Sequence, residues 1–263
     1  MSVSNRLLPL SCACLLLCAT DLRAGDWQYR LNAGIANAPR YSGAGERATA
    51  PLLGGSITSP AGFFLDTSKG LGWAHEGDTF DLGVRVGAST ARKDHRSGFE
   101  GSDRLDGMGS IKSRPQLGLD AAYHLGPLTL AANFEHALEQ DKDKPDTGSA
   151  YNHLKLSLGM QLYKGRIGEL VGSVNSQFGD GDYMRTWYGV SQAQAAGSQF
   201  HAHDARGGLI SRGGELSWSM PFDEHWHMAT VLAADYLNDD AGDSPLVEKR
   251  LQTSLVTQMT YTF

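Results

Sequence analysis

Beyond residue 24 this chain has no cysteine: Cys12, Cys14 and Cys18 are its only three, all close to the start. The remainder therefore cannot build a disulfide framework, a thiol nucleophile or a thiolate metal site. Long apolar runs are missing as well. After residue 25 nothing approaches the roughly 18 consecutive apolar residues of a transmembrane helix, so any membrane crossing must be made by strands. Positive charge is also scarce, with 23 Lys and Arg against 29 Asp and Glu. That balance excludes the basic footprint of a nucleic-acid binder.

The first 24 residues read as a secretory signal. Arg6 supplies a short positive region, Leu7 to Thr20 an apolar one, and Leu22-Arg23-Ala24 a cleavage site, although Leu22 is bulkier than the small residue preferred there. A lipoprotein reading fits less well: Leu17 is too large before Cys18, and Cys14 would leave the apolar region very short. Cleavage after Ala24 leaves residues 25–263 as one domain, with 21 basic against 28 acidic side chains. Of the 263 residues 41% are hydrophobic, 32 are glycines and mean hydropathy is −0.31.

What the chain has in abundance is alternation. From Lys249 to the end, Leu251, Leu255, Met259, Tyr261 and Phe263 share one face of an extended strand, and Gln252, Ser254, Gln258, Thr260 and Thr262 the other. The same period of two marks Trp27 to Ile35, Phe80 to Ala88, Leu117 to Leu125, Leu128 to Leu138 and Leu154 to Leu162, with further strands around Leu170 to Phe178, Leu216 to Met220 and Trp226 to Tyr236. Arg47 to Thr58 is a weaker strand, and Phe63, Leu65, Thr67, Leu71 and Trp73 continue on one face. The opposite faces carry Arg30, Arg85, Asp120, Glu135, Lys155, Glu169, Glu215 and Asp235. Such charges are costly in a soluble core and ordinary in a polar barrel lumen.

Short turns at Gly126-Pro127, Lys164 to Arg166 and Pro221 to Glu224 alternate with long polar stretches, the longest from Gly179 to Gly207. Short turns on one rim and long loops on the other define an outer-membrane barrel, with Trp27, Tyr123, Tyr163, Trp218, Trp226 and Tyr261 at girdle positions. The expectation is an all-β fold, a closed antiparallel transmembrane barrel in the outer membrane of a Gram-negative bacterium. Eleven strands can be counted, and such barrels have an even number. Twelve are expected, with ten the alternative, and the uncertain stretch is Arg47 to Glu76.

No chemistry stands out on this scaffold. The pairs His201/His203 and His225/His227 have a spacing that suits a divalent metal, yet each lacks a third ligand. Asp180-Gly-Asp182 and Asp239-Asp240-Ala-Gly-Asp243 suit calcium by charge and lack its loop spacing. Gly-Gly at 207–208 and 213–214 precedes no helix, and no elbow or spaced triad marks a serine as nucleophile. No catalytic residue, cofactor or metal is expected. The alternatives are a narrow channel or uptake pore and, more distantly, an outer-membrane hydrolase with rim Asp and His.

Several segments resemble the MipA/OmpV family of outer-membrane proteins. Tyr183-Met-Arg-Thr-Trp-Tyr-Gly-Val-Ser-Gln-Ala-Gln-Ala195 followed by Ser198 matches its tyrosine-to-"GVS..QA..S" segment through Tyr183, Gly189, Val190, Ser191, Gln194, Ala195 and Ser198. Ser244 and Pro245 of Asp243-Ser-Pro-Leu-Val247, with Tyr261 and Phe263 of the closing strand, match its C-terminal pattern. Tyr41-Ser-Gly-Ala, Gly62-Phe-Phe-Leu65 and Gly70-Leu-Gly-Trp73 also fit. The resemblance implies a non-enzymatic barrel, a scaffold that brings a lytic transglycosylase together with a murein synthase in peptidoglycan assembly. Other members are adhesin-like or stress-related outer-membrane proteins, so the resemblance also keeps an adhesin-like surface protein as an alternative. The implied partners are outer-membrane lipid, the murein hydrolase and synthase on the periplasmic rim, and the barrel-assembly machinery through the C-terminal strand. The Tyr183 to Ser198 segment falls in an extracellular loop, or in a plug folded into the lumen.

Overall fold

The structure, a computed structural model, describes residues 26–263, and the proposed signal lies outside them. Twelve antiparallel strands close into one barrel. They are β1 (Gln28–Pro39), β2 (Arg47–Thr58), β3 (Phe63–Asp66), β4 (Gly70–His75), β5 (Phe80–Ala88), β6 (Pro115–Leu125), β7 (Leu128–Ala137), β8 (Tyr151–Gly165), β9 (Gly168–Gly179), β10 (Gly208–Pro221), β11 (Trp226–Leu237) and β12 (Leu251–Thr262). The seam runs from Arg30 opposite Thr262 to Asn37 opposite Leu255. Gly34 lets the two strands meet there, since a Cβ on it would sit 2.7 Å from the Cβ of Gln258.

Alternation works as the sequence implies. Leu31, Ile35, Leu82, Val84, Leu119, Leu156, Leu158, Leu232 and Leu255 stand exposed on the outer wall, and the polar faces turn inward. The outward apolar band meets lipid instead of a second sheet, which inverts the usual sense of burial.

Among the strands, the structure departs from the sequence reading where the alternation is weakest. Phe63 to Trp73 is two strands, β3 and β4, joined by a turn at residues 67–69. Asp66 Oδ1 accepts from the backbone N–H of Ser68 at 2.7 Å and of Lys69 at 2.9 Å, and Gly70 takes φ +89°. Alternation hid the turn because hairpin partners share a face: Leu65 stands opposite Leu71 and Phe63 opposite Trp73, at even separations. Splitting that segment gives twelve.

Residues 59–62, 76–79, 126–127, 166–167 and 222–225 form the turns on the rim that carries both chain ends, the periplasmic one. Opposite lie residues 40–46, 89–114, 138–150, 180–207 and 238–250, with only the 67–69 turn short. The long segments are not simple loops. They hold α1 (Pro145–Gly148), α2 (Gly181–Tyr188), α3 (Gln192–Gly197), α4 (Asp239–Gly242) and a 3-10 turn at Asp103–Leu105. These pieces pack into a lid with its own small core, built from Tyr41, Leu105, Met108, Val190, Phe200 and Leu246, and beside it Met184, Tyr188, Ile210, Leu237 and Ala241.

Candidate functional site: a loop lid above a charged lumen

The two longer helices of the lid are locked by local chemistry. Asp180 caps α2, its side chain accepting from the Tyr183 N–H at 2.7 Å. Gly189 ends that helix with its N–H donating to the carbonyls of Met184 and Arg185. Ser191 then opens α3 in a capping box: its Oγ accepts from the Gln194 N–H at 3.2 Å, and Gln194 Oε1 accepts from the Ser191 N–H at 2.9 Å. The same Ser191 hydroxyl donates to Asp146 at 2.8 Å, and Gln194 Nε2 donates to the Met108 carbonyl at 2.8 Å. Val190 pairs with His203 through both backbone hydrogen bonds, and Ala195 packs on the core. Ser198 Oγ accepts from the Phe200 N–H.

Distant segments join through the same residues. Tyr41 donates to the Leu246 carbonyl at 3.0 Å, Ser42 Oγ lies 2.7 Å from Tyr188 Oη, and Ser244 Oγ donates to the Tyr188 carbonyl at 2.6 Å. The carbonyl of Pro245 accepts from Arg104. Burial pushes the phenols of Tyr41 and Tyr188 up to about 12, Glu248 adding to the effect on Tyr41. Arg92, buried with Nη1 donating to the Trp187 carbonyl at 2.7 Å, is pushed down to about 10 by the same burial. The acidic clusters are engaged in the lid. Asp182 pairs with Arg185, Asp240 with Arg206 and Asp243 with Arg250. Arg206 holds the Asp240 carboxyl below its usual range.

Below the lid the lumen wall carries a connected set of charges. Arg85 donates to Asp120 at 2.7 Å and to Glu135 at 2.6 Å. His153 Nδ1 lies 3.5 Å from Glu135, and its Nε2 lies 3.2 Å from Gln177 Oε1. Gln177 in turn reaches Asp235 at 3.5 Å. Two glycines let these side chains lie flat. A methyl group at Gly118 would overlap the Arg85 guanidinium, and one at Gly213 the Asp235 carboxylate. Lid and lumen meet where Tyr183 stacks on His153, with centroids 5.1 Å apart. Gly179 makes room for that ring. Nearer the periplasmic rim Asp81, His124 and Thr129 form a second chain, at 2.9 and 3.1 Å.

The residues singled out by sequence thus divide. Tyr183, Gly189, Val190, Ser191, Gln194, Ala195, Ser198, Ser244 and Pro245 come together in the lid. Tyr261 and Phe263 sit at the opposite rim, where Tyr261 packs on Trp226 at 4.9 Å and on Phe263 at 4.8 Å. His203 belongs to the lid, its Nε2 3.0 Å from the Asp240 carbonyl, while His225 stacks on Tyr261. Sequence reasoning missed Tyr41 and Leu105 as core, and missed α3 although Ser191-Gln-Ala-Gln194 spells its capping box.

Twelve closed strands, an apolar outer belt and a charged interior define an outer-membrane β-barrel protein. A family model described as MltA-interacting protein MipA matches residues 31–263, and the chain belongs to that family. It is 25% identical over 197 residues to the outer membrane protein OmpV of Vibrio cholerae serotype O1, covering 73% of this chain and 69% of that one. It is 26% identical over 191 residues to Omp26La of Vibrio anguillarum, with the same coverage. Among solved structures, the translocator domain of the autotransporter NalP from Neisseria meningitidis aligns over 92% of this chain and 90% of its own, at 10% identity and TM-score 0.46.

Proposed function

We propose that this barrel is a non-enzymatic scaffold of the outer membrane that gathers murein-processing enzymes, a lytic transglycosylase and a synthase, at its periplasmic rim. The observation that carries this reading is the lid. All five long loops bond to one another across the extracellular mouth, so the barrel is built to be shut there. What remains for a periplasmic partner is the ring of short turns, with Ile167 64% exposed and Phe222 54% exposed. Lys164 and Arg166 lie beside Ile167, and Asp223 beside Phe222. The family description, which names interaction with MltA, supports the same direction. On this reading the family-like segment at Tyr183 to Ser198 serves the lid, which it joins through Tyr183, Ser191 and Gln194.

A second reading, a narrow channel, draws on the lumen, where Arg85 and Asp235 lie against the wall over Gly118 and Gly213. Planar-bilayer recording separates the two. The scaffold reading expects no steady current from the intact protein. It also expects current once Leu105→Asp and Met108→Asp split the lid core, with the heat-dependent gel shift of the barrel retained. A steady open pore in the unaltered protein would remove the lidded scaffold.

A further inference from the structure

The barrel wall is incomplete on one side, at the level where the lid begins. β2 pairs with β1 along its whole length, from Gln28 opposite Thr58 to Pro39 opposite Arg47. On its other edge it pairs with β3 only at Ser56, Ile57 and Thr58, because β3 and β4 are short. One further contact extends this edge: the Thr67 N–H donates to the Gly55 carbonyl at 3.0 Å, and the Gly55 N–H donates to Thr67 Oγ1 at 3.1 Å. Backbone direction alternates along a strand, so Leu53, Pro51 and Thr49 point their backbone polar groups the same way as Gly55. Among the described residues no ladder partner meets them. On the other side the pairing of β4 with β5 ends at Val86, and β5 itself runs only to Ala88.

This gap is a window in the wall. Its sill is the 67–69 turn. Its lintel is made by Arg40, donating to the carbonyls of Gly98 at 3.3 Å and Gly101 at 3.2 Å, and by the Glu46–Arg96 ion pair. Its lower part lies within the apolar belt: Leu53 is 55% exposed, and Ile35, opposite Pro51, is exposed too. Polar groups take over higher up, where Arg47 donates to Asn37, and Asn37 to Thr49. A free edge inside hydrocarbon leaves donors and acceptors unsatisfied. Pro51 occupies a position whose N–H would have had no partner, and it denies an incoming strand a donor there.

The inner surface beside the window differs from the rest of the lumen. Leu52 faces inward and packs against Ala36, Val231 and Val256, so β1, β2, β11 and β12 present alkyl groups at this height. Ala50 beside them is buried. The charged set from Arg85 to His153 occupies β5 to β8. An apolar surface thus continues around the free edge of β2, from Leu53 outside to Leu52 inside. We infer that the window admits an acyl chain of an outer-leaflet lipid, which lies across the β2 edge and covers Leu52. Location decides the class: the neighbour of this edge is lipid, and Pro51 disfavours a strand. The chain belongs either to lipopolysaccharide or to a glycerophospholipid, and both supply the same alkyl group.

The test places a photoreactive benzophenone amino acid at position 52, facing in, at 53, facing out, and at 173 on the inner wall of β9. The full-length protein is illuminated in intact cells and the adducts are weighed. Lipid adducts at 52 comparable with those at 53, and a fall to background at 173, are expected; the adduct mass tells lipopolysaccharide from phospholipid. Background yield at 52, or adducts there only to protein, would overturn the inference. Leu52→Cys, labelled by a maleimide dissolved in the bilayer and compared with Ser173→Cys, repeats the comparison without the bulk. Retention of the heat-dependent gel shift shows that each variant is folded.

Discussion

At the scale of single residues, charges in this lumen depend on side chains that are absent. Arg85 spans from β5 to β7 because Gly118 on the intervening strand offers no Cβ. Gly118→Ala is expected to push Arg85 off Asp120 and Glu135, leaving two carboxylates without their cation. Stripping one partner from a shielded pair costs about 3–5 kcal/mol when fully buried. These carboxylates are partly exposed, at 30% and 32%, so roughly 1–2 kcal/mol is the reasonable scale after discounting for solvent. A lowered temperature for the gel-mobility transition measures it, and an unchanged transition would show that Arg85 has somewhere else to go. In the lid, Ser191→Ala removes one arm of the capping box and the bond to Asp146 at once. The expected loss is about 1 kcal/mol for the cap, read as faster amide exchange at Gln194 and Ala195 with the strands unaffected.

At the scale of elements, the lid is a small folded unit whose core includes two phenols held at about 12. A raised phenol is neutral in both the packed and the opened lid below pH 10, so its contribution is fully present there. Between pH 10 and 12 only the opened form gains by ionising, and the packed form loses that advantage. Each of Tyr41 and Tyr188 is then expected to cost the lid roughly 2–3 kcal/mol by pH 12. Proteolytic cuts within residues 89–114 and 180–207 should appear as pH rises through that window. Tyr188→Phe should blunt the change, and a protease pattern flat from pH 8 to 12 would contradict it.

The strands were legible because lipid on one face and a polar lumen on the other impose a strict period of two. The β3–β4 turn was not, because its flanking residues keep the same parity across the hairpin. The lid was legible only in fragments. Its helices are one or two turns long, too short for periodicity to declare them, and its core gathers single residues from segments such as Tyr41 and Leu246, far apart in sequence. The family-like residues could be picked out as a pattern, but their work of capping and bridging became readable only once those segments were placed side by side.

At the scale of the whole molecule, the barrel is asymmetric. One rim carries interlocked loops, one flank is open at β2, and the other rim offers short turns with exposed Ile167, Phe222 and Phe263. A scaffold for periplasmic enzymes should make its contacts on that last rim and nowhere else. The direct measurement places photoreactive residues at positions 167 and 222 on the periplasmic turns and at 185 on the lid, in growing cells. The scaffold account predicts adducts with murein hydrolase or synthase at 167 or 222 and none at 185, with enrichment over the same probe in an unrelated barrel. Absence of those enzymes at both periplasmic positions, or equal capture by the unrelated barrel, would contradict it.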